Sequence, residues 1–217
     1  MSHHTLPAHV LATRILSSVS PELAAGLGIP AHHRAAALLS ASSDVIAYSA
    51  VDEATKRADC RVSYARSFYG GSYNASTKLA GEFLGVLSGP TPADVRSALE
   101  AARADIEERQ HIDAATEDNS ILYYVHCISR CGSYLAQFCQ VPEGSSLAFL
   151  IAPPLEAIFG VDAVLKAVDV RICHFFGPPT ETNFGGAFVT GEQSACRNAC
   201  RVFSEAVEAV AANPRSL

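Results

Sequence analysis

Hydrophobic positions along the chain fall into two patterns, short apolar runs and stripes with helical spacing. Apolar runs at 36–41 and 147–152, the first interrupted only by Ser40, have the length and content of buried β-strands. Shorter apolar segments predict further strands at 45–48, 61–65, 82–87, 156–159, 170–176 and 187–190. Stripes at intervals of three and four residues predict long helices after Thr91 and Thr190. Residues up to about 13 show neither pattern and are expected to form a loose lead.

One short sequence pattern occurs twice. Residues 52–62 and 162–172 carry Asp, Lys, Asp and Arg at identical spacing, 110 residues apart. A repeat of this length predicts two copies of one small domain, which we place at 1–109 and 110–217. Each copy is expected to contain four short strands with helices on one face, an α+β fold.

Composition narrows the class of protein. Of the 217 residues, 49% are hydrophobic and 18% are charged, which favours a well-buried core over disorder. The net charge of −6 argues against nucleic acid as a partner. The chain contains no run of 18 apolar residues and begins without the pattern of a signal peptide, so we expect no membrane partner. The apolar excess is instead expected to be buried between subunits.

The motifs of common enzyme classes are missing. The chain contains no phosphate-binding glycine loop, no Gly-x-Ser-x-Gly and no His-Glu-x-x-His. We therefore predict that it is not an enzyme and binds no cofactor. Cys127 and Cys131, like Cys196 and Cys200, are four residues apart, which would place both thiols on one face of a helix. Core packing is favoured for these thiols, and a metal site is the alternative.

A small group of polar residues remains at predicted strand ends and in loops. Asp44, Glu82 and Glu181 either are solvated turn carboxylates or, together with Thr180 and Thr182, line a pocket for a small cation. Two irregular stretches, 67–76 and 177–186, mix glycine with aromatic and small polar residues, as ordered but adaptable loops do.

Several longer strings carry a family resemblance over nearly the whole chain. They are VDEATKRA, VSYARSFYGG, NASTKLAGEF, GPTPADVRSAL, SRCGSYLA, LIAPPLEAIFGVDAVLKAVDV, FFGPPTETNFGGAF and TGEQSACRNAC. On these strings the chain resembles the bacterial microcompartment shell proteins, and among them the tandem-domain members of the ethanolamine-utilisation compartment.

The resemblance implies an architecture and a place in the cell. Each half would be a circularly permuted microcompartment domain with a four-stranded antiparallel sheet. Three chains would form a pseudohexameric homotrimer that tiles a shell in the cytoplasm beside hexameric and pentameric shell proteins. Lys56 and Lys166 match the lysine at the edge between tiles. Loops gating a central pore would contain Phe68, Tyr69, Gly70, Gly71, Tyr73, Thr180, Asn183 and Phe184.

The resemblance also implies a small ligand. Relatives bind ethanolamine through residues that match Asp44, Glu82 and Thr182, and Glu181 and Ile112 are assigned to the same site. This chain has Ser42-Ser43-Asp44-Val45 where relatives usually have Asp-x-Asp-Asp, and Ile112 where they often have phenylalanine. The less acidic pocket leads to the hypothesis of a larger amino alcohol, 1-amino-2-propanol.

A different class of function remains open beside the shell protein. The chain could be a small-molecule sensor or regulatory protein whose pocket matters more than its lattice contacts. Formation of two-dimensional arrays separates these two functions.

Overall fold

The computed structural model describes residues 4–68, 82–178, 180 and 182–215. Its strands are β1 (His4–Pro7), β2 (Val10–Leu16), β3 (Ala35–Ala41), β4 (Arg61–Phe68), β5 (Glu82–Gly89), β6 (His111–Ala114), β7 (Leu122–Ile128), β8 (Leu147–Ala152), β9 (Arg171–Phe176) and β10 (Gly185–Thr190). Its helices are α1 (Pro21–Gly26), α2 (Asp44–Thr55), α3 (Pro92–Ala104), α4 (Ser133–Cys139), α5 (Pro154–Ala167) and α6 (Gln193–Ala212), and a π-helical turn, Asp105–Arg109, follows α3.

The chain divides into two compact units. The N-unit contains Ala8–Gln110 and Gly132–Leu135, and the C-unit contains Met1–Pro7, His111–Cys131 and Ala136–Leu217. These units follow the two halves of the sequence repeat except for two short exchanges. Strand β1 pairs with β6 and so belongs to the C-unit, and residues 132–135 belong to the N-unit.

The N-unit is built on an antiparallel sheet with the strand order β2-β3-β5-β4. Helices α2 and α3 pack on this sheet. Ile29, from the segment after α1, packs with Ala36 of β3 and Val86 of β5 in a separate cluster. Strand β3 is thus largely buried, which explains why it is apolar at every position except Ser40 and does not alternate.

The C-unit repeats this arrangement with two additional strands. Its antiparallel strands follow the order β1-β6-β7-β8-β10-β9. Leu150 of β8, Val164 of α5 and Phe203 of α6 belong to one buried cluster between the sheet and its helices. The predicted α+β fold, with a sheet and packed helices in each half, is confirmed.

Most predicted elements are found, with strand ends displaced by a few residues. The predictions at 45–48 and 156–159 are wrong, because these segments lie inside α2 and α5. A short apolar run does not distinguish a strand from a helix that is buried against a sheet. The predicted loose lead is also wrong: it forms β1 and much of β2, which pair with β6 and β3.

Within the described residues, no helix is long and apolar enough to cross a membrane.

The packing of α5 against α6 generates a stability prediction. A Cβ at Gly160 would lie 2.7 Å from the ring of Phe203, which is fully buried, so Gly160→Ala must displace core atoms. We expect a loss of about 1–3 kcal/mol in the free energy of unfolding, measured by urea denaturation. Gly26→Ala is the matched control, because no atom lies within 4 Å of the added Cβ. Equal stability of the two variants would contradict this packing.

Candidate functional site

Two of the predicted ligand-binding carboxylates lie at the same edge of the N-unit. Asp44 is the first residue of α2 and follows β3 closely, and Glu82 is the first residue of β5. Ala41 at the end of β3 pairs with Phe83. The sheet register therefore brings the segments that carry Asp44 and Glu82 to one edge, and both residues are buried.

Glu82 is held in an unfavourable environment. Its Oε1 atom is buried and has no hydrogen-bond partner among the described residues, and the same is true of the Ser43 hydroxyl. Burial raises the pKa of Glu82 above its usual value of 4.5, because the ionised form loses hydration. A buried carboxylate oxygen that lacks a hydrogen-bond partner among the described residues suits a ligand that carries an ammonium group.

Asp44 and Tyr48 complete the polar side of this edge. The backbone N–H of Val45 donates to Asp44 Oδ1 at 2.8 Å. The Ser67 hydroxyl donates to the Tyr48 hydroxyl at 3.2 Å. Burial raises the pKa of Tyr48, with a smaller contribution from the charge of Asp44, so Tyr48 is a neutral phenol at physiological pH.

The remaining predicted ligand-binding residues belong to the C-unit. Ile112 lies on β6 opposite Leu6 and is buried. Thr182 is also buried and lies in the loop before β10. Glu181 lies outside the described residues. The sequence prediction therefore distributes its ligand-binding residues over both units of the chain.

Threonine 180 organises the described part of the loop before β10. Its hydroxyl donates to the Phe184 carbonyl at 2.9 Å, and its carbonyl accepts the N–H of Asn183 at 3.1 Å. Asn183 has φ of 63°, a left-handed conformation that asparagine tolerates better than most residues. The loop thus turns tightly through local hydrogen bonds.

Sequence reasoning missed the role of Asp52, although it found the repeat that contains it. Asp52 is fully buried, and its two carboxylate oxygens accept the backbone N–H groups of Gly132 at 2.7 Å and Leu135 at 2.8 Å. Burial raises its pKa, while these hydrogen bonds and the charge of Lys56 act in the opposite direction. The recurrence of aspartate at position 162 was the available signal.

Comparison with known proteins identifies the family. The BMC domain matches residues 35–118. The bacterial microcompartment shell protein EutL of Clostridium perfringens is 52% identical over 214 residues, which cover 99% of each chain. The chain belongs to the EutL family of bacterial microcompartment shell proteins. The crystal structure of the ethanolamine utilization protein EutL from Leptotrichia buccalis superposes with a TM-score of 0.95 at 53% identity, covering 100% of both chains.

A more distant relative shares only the fold with this EutL-family chain. The crystal structure of a trimeric bacterial microcompartment shell protein, PduB, matches with a TM-score of 0.76 at 17% identity. The match covers 94% of this chain and 89% of that chain. Membership of the EutL family thus rests on the near-full-length relatives, and the likeness to PduB extends the two-unit fold to other shell proteins.

The pore-loop residues predicted for this EutL-family chain are described only in part. Phe68 ends β4 and lies opposite Glu82. Thr180, Asn183 and Phe184 form the turn before β10. Tyr69, Gly70, Gly71 and Tyr73 lie outside the described residues.

The two predicted lattice lysines are both exposed, and each pairs with a carboxylate on its own helix. Lys56 at the end of α2 pairs with Glu53, and Lys166 on α5 pairs with Asp162 at 2.6 Å. The Lys166–Asp162 pair is exposed and therefore contributes little to stability, whereas the side chains of the Lys56–Glu53 pair are partly buried. Their role at a tile edge stays a prediction.

The described residues contain no cluster of three or more histidine, cysteine, aspartate or glutamate side chains arranged to hold a metal. The helical reasoning for Cys127 and Cys131 is wrong, because Cys127 lies on strand β7. Cys196 and Cys200 do lie on α6, and burial raises the pKa of both thiols, to about 11 and about 12. These two thiols are therefore protonated at neutral pH.

The environment of Glu82 generates a pH-dependent prediction. A pKa raised in the folded state gives a stability contribution that is present below about pH 4.5 and is lost as the pH rises through the raised value. We expect Glu82→Gln to unfold at a higher temperature than the wild type at pH 7.5 and at a similar temperature at pH 4, without ligand.

Glu107→Gln serves as the control, because its expected change in stability at pH 7.5 has the opposite sign. Arg103 lowers the pKa of Glu107, so this variant should lose stability at pH 7.5. A Glu82→Gln variant that is no more stable than the wild type at pH 7.5 would contradict an unpaired buried carboxylate.

Proposed function

We propose that three copies of this chain form a pseudohexameric tile of a bacterial microcompartment shell. The observation that carries this proposal is similarity to EutL shell proteins along the whole chain. Two sheet-and-helix units in one chain also support it, since three such chains supply six related units. The PduB protein of similar fold is described as trimeric. In this function the chain is a structural and transport protein and not a catalyst.

The tile is proposed to carry a gated central pore for metabolites or cofactors. The gate would consist of the segments that follow β4 and β9, which contain the pore-loop residues named above. Asn183 in its left-handed conformation and the hydrogen bonds of Thr180 support a loop with a defined shape on the C-unit side.

Within the tile, Glu82 and Asp44 are proposed to bind the ammonium group of a small amino alcohol. Glu82 Oε1 and the Ser43 hydroxyl are buried and have no hydrogen-bond partner in the part of the chain that the structure describes, which supports this assignment. A bound ammonium group would relieve the unfavourable burial of the Glu82 charge, so binding and stability are coupled. Ethanolamine and 1-amino-2-propanol are the two candidates, and the extra methyl group of the second suits the less acidic pocket.

The buried Glu82 oxygen without a partner among the described residues also favours a second candidate function, a small-molecule sensor without a lattice role. Such a sensor would bind the amino alcohol but would not assemble beyond its oligomer. Array formation therefore decides between the tile and the sensor.

The tile function predicts the effect of removing the edge lysines. Lys56→Ala with Lys166→Ala should abolish two-dimensional arrays seen by negative-stain electron microscopy and leave the trimer intact. Arg103→Ala is the matched control, since Arg103 is also exposed and paired with a carboxylate on its own helix segment. Arrays of wild-type density from the double lysine variant would contradict the edge assignment, and a wild type that never forms arrays would favour the sensor.

The ligand assignment predicts a calorimetric result. Titration of ethanolamine and 1-amino-2-propanol into the wild-type protein should show binding, tighter for 1-amino-2-propanol. 1,2-Propanediol, which lacks the ammonium group, should not bind, and Glu82→Gln should lose at least tenfold in affinity for both amines. Equal or absent binding of the two amino alcohols would overturn the preference for 1-amino-2-propanol.

A further inference from the structure

We propose that the outer face of α5 receives residues 20–23 of a second copy of this chain, with Asp162 accepting their backbone N–H groups. The inference rests on the proposed oligomeric tile and deepens it by naming the contact between chains. The docking face consists of Leu155, Ile158, Phe159, Asp162 and Leu165.

The N-unit contains an internal contact of the same kind, between α2 and residues 132–135. Helix α2 carries Tyr48, Asp52 and Thr55 toward residues 132–135. The ring of Tyr48 is stacked with that of Tyr134 at 6.4 Å between centroids, and Thr55 Oγ1 accepts the N–H of Ser133 at 3.2 Å. Together with the two N–H groups that Asp52 accepts, these contacts place the beginning of α4 within the N-unit.

The sequence repeat supplies both sides of the same contact a second time. Offsets of 110 and 112 residues relate α5 to α2 and residues 20–23 to residues 132–135, respectively. Within the single chain, α5 and residues 20–23 expose positions whose counterparts in α2 and residues 132–135 are buried. Leu23 is 46% exposed, whereas its counterpart Leu135 is 1% exposed.

The face of α5 is exposed in the same way. Leu155, Ile158 and Phe159 are 60%, 55% and 51% exposed, although Val45 and Ser49, the counterparts of Leu155 and Phe159, are buried. Asp162 is also exposed, whereas Asp52 is fully buried. An apolar helix face centred on an aspartate, with a matching exposed segment elsewhere on the chain, is typical of a head-to-tail interface between identical chains.

The polar groups differ in a matched way between the internal contact and the proposed contact between chains. In the internal contact Thr55 accepts the N–H of Ser133, whereas the side chain of Leu165, the counterpart of Thr55, has no acceptor. The counterpart of Ser133 is Pro21, which has no N–H to donate. Donor and acceptor are therefore lost as a pair, and no buried group is left unsatisfied at this point of the interface.

The two donors that the aspartate requires are retained. Ser20 and Leu23 correspond to Gly132 and Leu135, and neither is proline, so both have an N–H. The first turn of α1 receives no side-chain cap from Ser20. A Cβ at Gly132 would lie 2.7 Å from the Asp52 carbonyl oxygen, so we expect the contact between chains to be slightly wider at Ser20.

A cysteine pair tests this contact directly. A Cβ at position 132 would lie 2.3 Å from Thr55 Oγ1, so the Cβ atoms of the equivalent positions, 20 and 165, are expected within about 4 Å across the interface, a separation that a disulfide spans. The double variant Ser20→Cys with Leu165→Cys should form linked dimers and trimers on a non-reducing gel after mild oxidation. Ser20→Cys and Leu165→Cys alone control for the native cysteines.

A second variant keeps the test independent of crosslinking chemistry. Asp162→Asn should lower the urea concentration at which the oligomer dissociates, because one backbone N–H loses its acceptor. Glu205→Gln is the matched control, since Asp162 and Glu205 have equal side-chain exposure of 58% and each pairs with a cation four residues away.

The outcomes separate this inference from the proposed function. A trimeric double-cysteine variant with no more crosslinking than the single variants would overturn the contact and leave the tile intact. Equal dissociation midpoints for Asp162→Asn and Glu205→Gln would also overturn it. A monomeric wild-type protein would overturn both the contact and the trimeric tile.

Discussion

The structure depends on one buried carboxylate that accepts hydrogen bonds from a distant part of the chain. Asp52 receives the N–H groups of Gly132 and Leu135, about eighty residues away in sequence, and so places residues 132–135 in the N-unit. Burying a carboxylate is unfavourable unless hydrogen bonds compensate for lost hydration. The contact is therefore specific as well as stabilising, because a displaced partner would leave the charge unsatisfied. In the proposed oligomer, the repeated aspartate Asp162 makes the corresponding contact between chains.

A large part of the fold could be predicted from the sequence, and the rest depended on long-range contacts. The strands at 36–41 and 147–152 are largely buried, so nearly every position is apolar and hydrophobicity locates them in the sequence. The segments 45–48 and 156–159 are also largely apolar, yet they are helical, and the local pattern does not say which partner covers them. The edge strand β1 has no local sequence signal, because its partner strand β6 lies more than a hundred residues away in sequence.

The local sequence pattern also predicts only part of the candidate site. Asp44 and Glu82 were identified as candidates from their residue types and family resemblance, and β-sheet register explains why their segments share an edge. That Glu82 lacks a hydrogen-bond partner among the described residues depends on packing that no local pattern contains. The two copies of the repeated aspartate differ for a similar reason. Identical spacing gave no sign that Asp52 is buried and Asp162 exposed within one chain.

The most direct test of this account is an experimental structure of the assembled particle at a resolution that locates side chains. The account predicts that the Asp162 carboxylate lies within about 3 Å of the Leu23 backbone nitrogen of a neighbouring chain, with Leu155, Ile158 and Phe159 covered. A particle in which Asp162 faces solvent, or in which another surface covers α5, would contradict it.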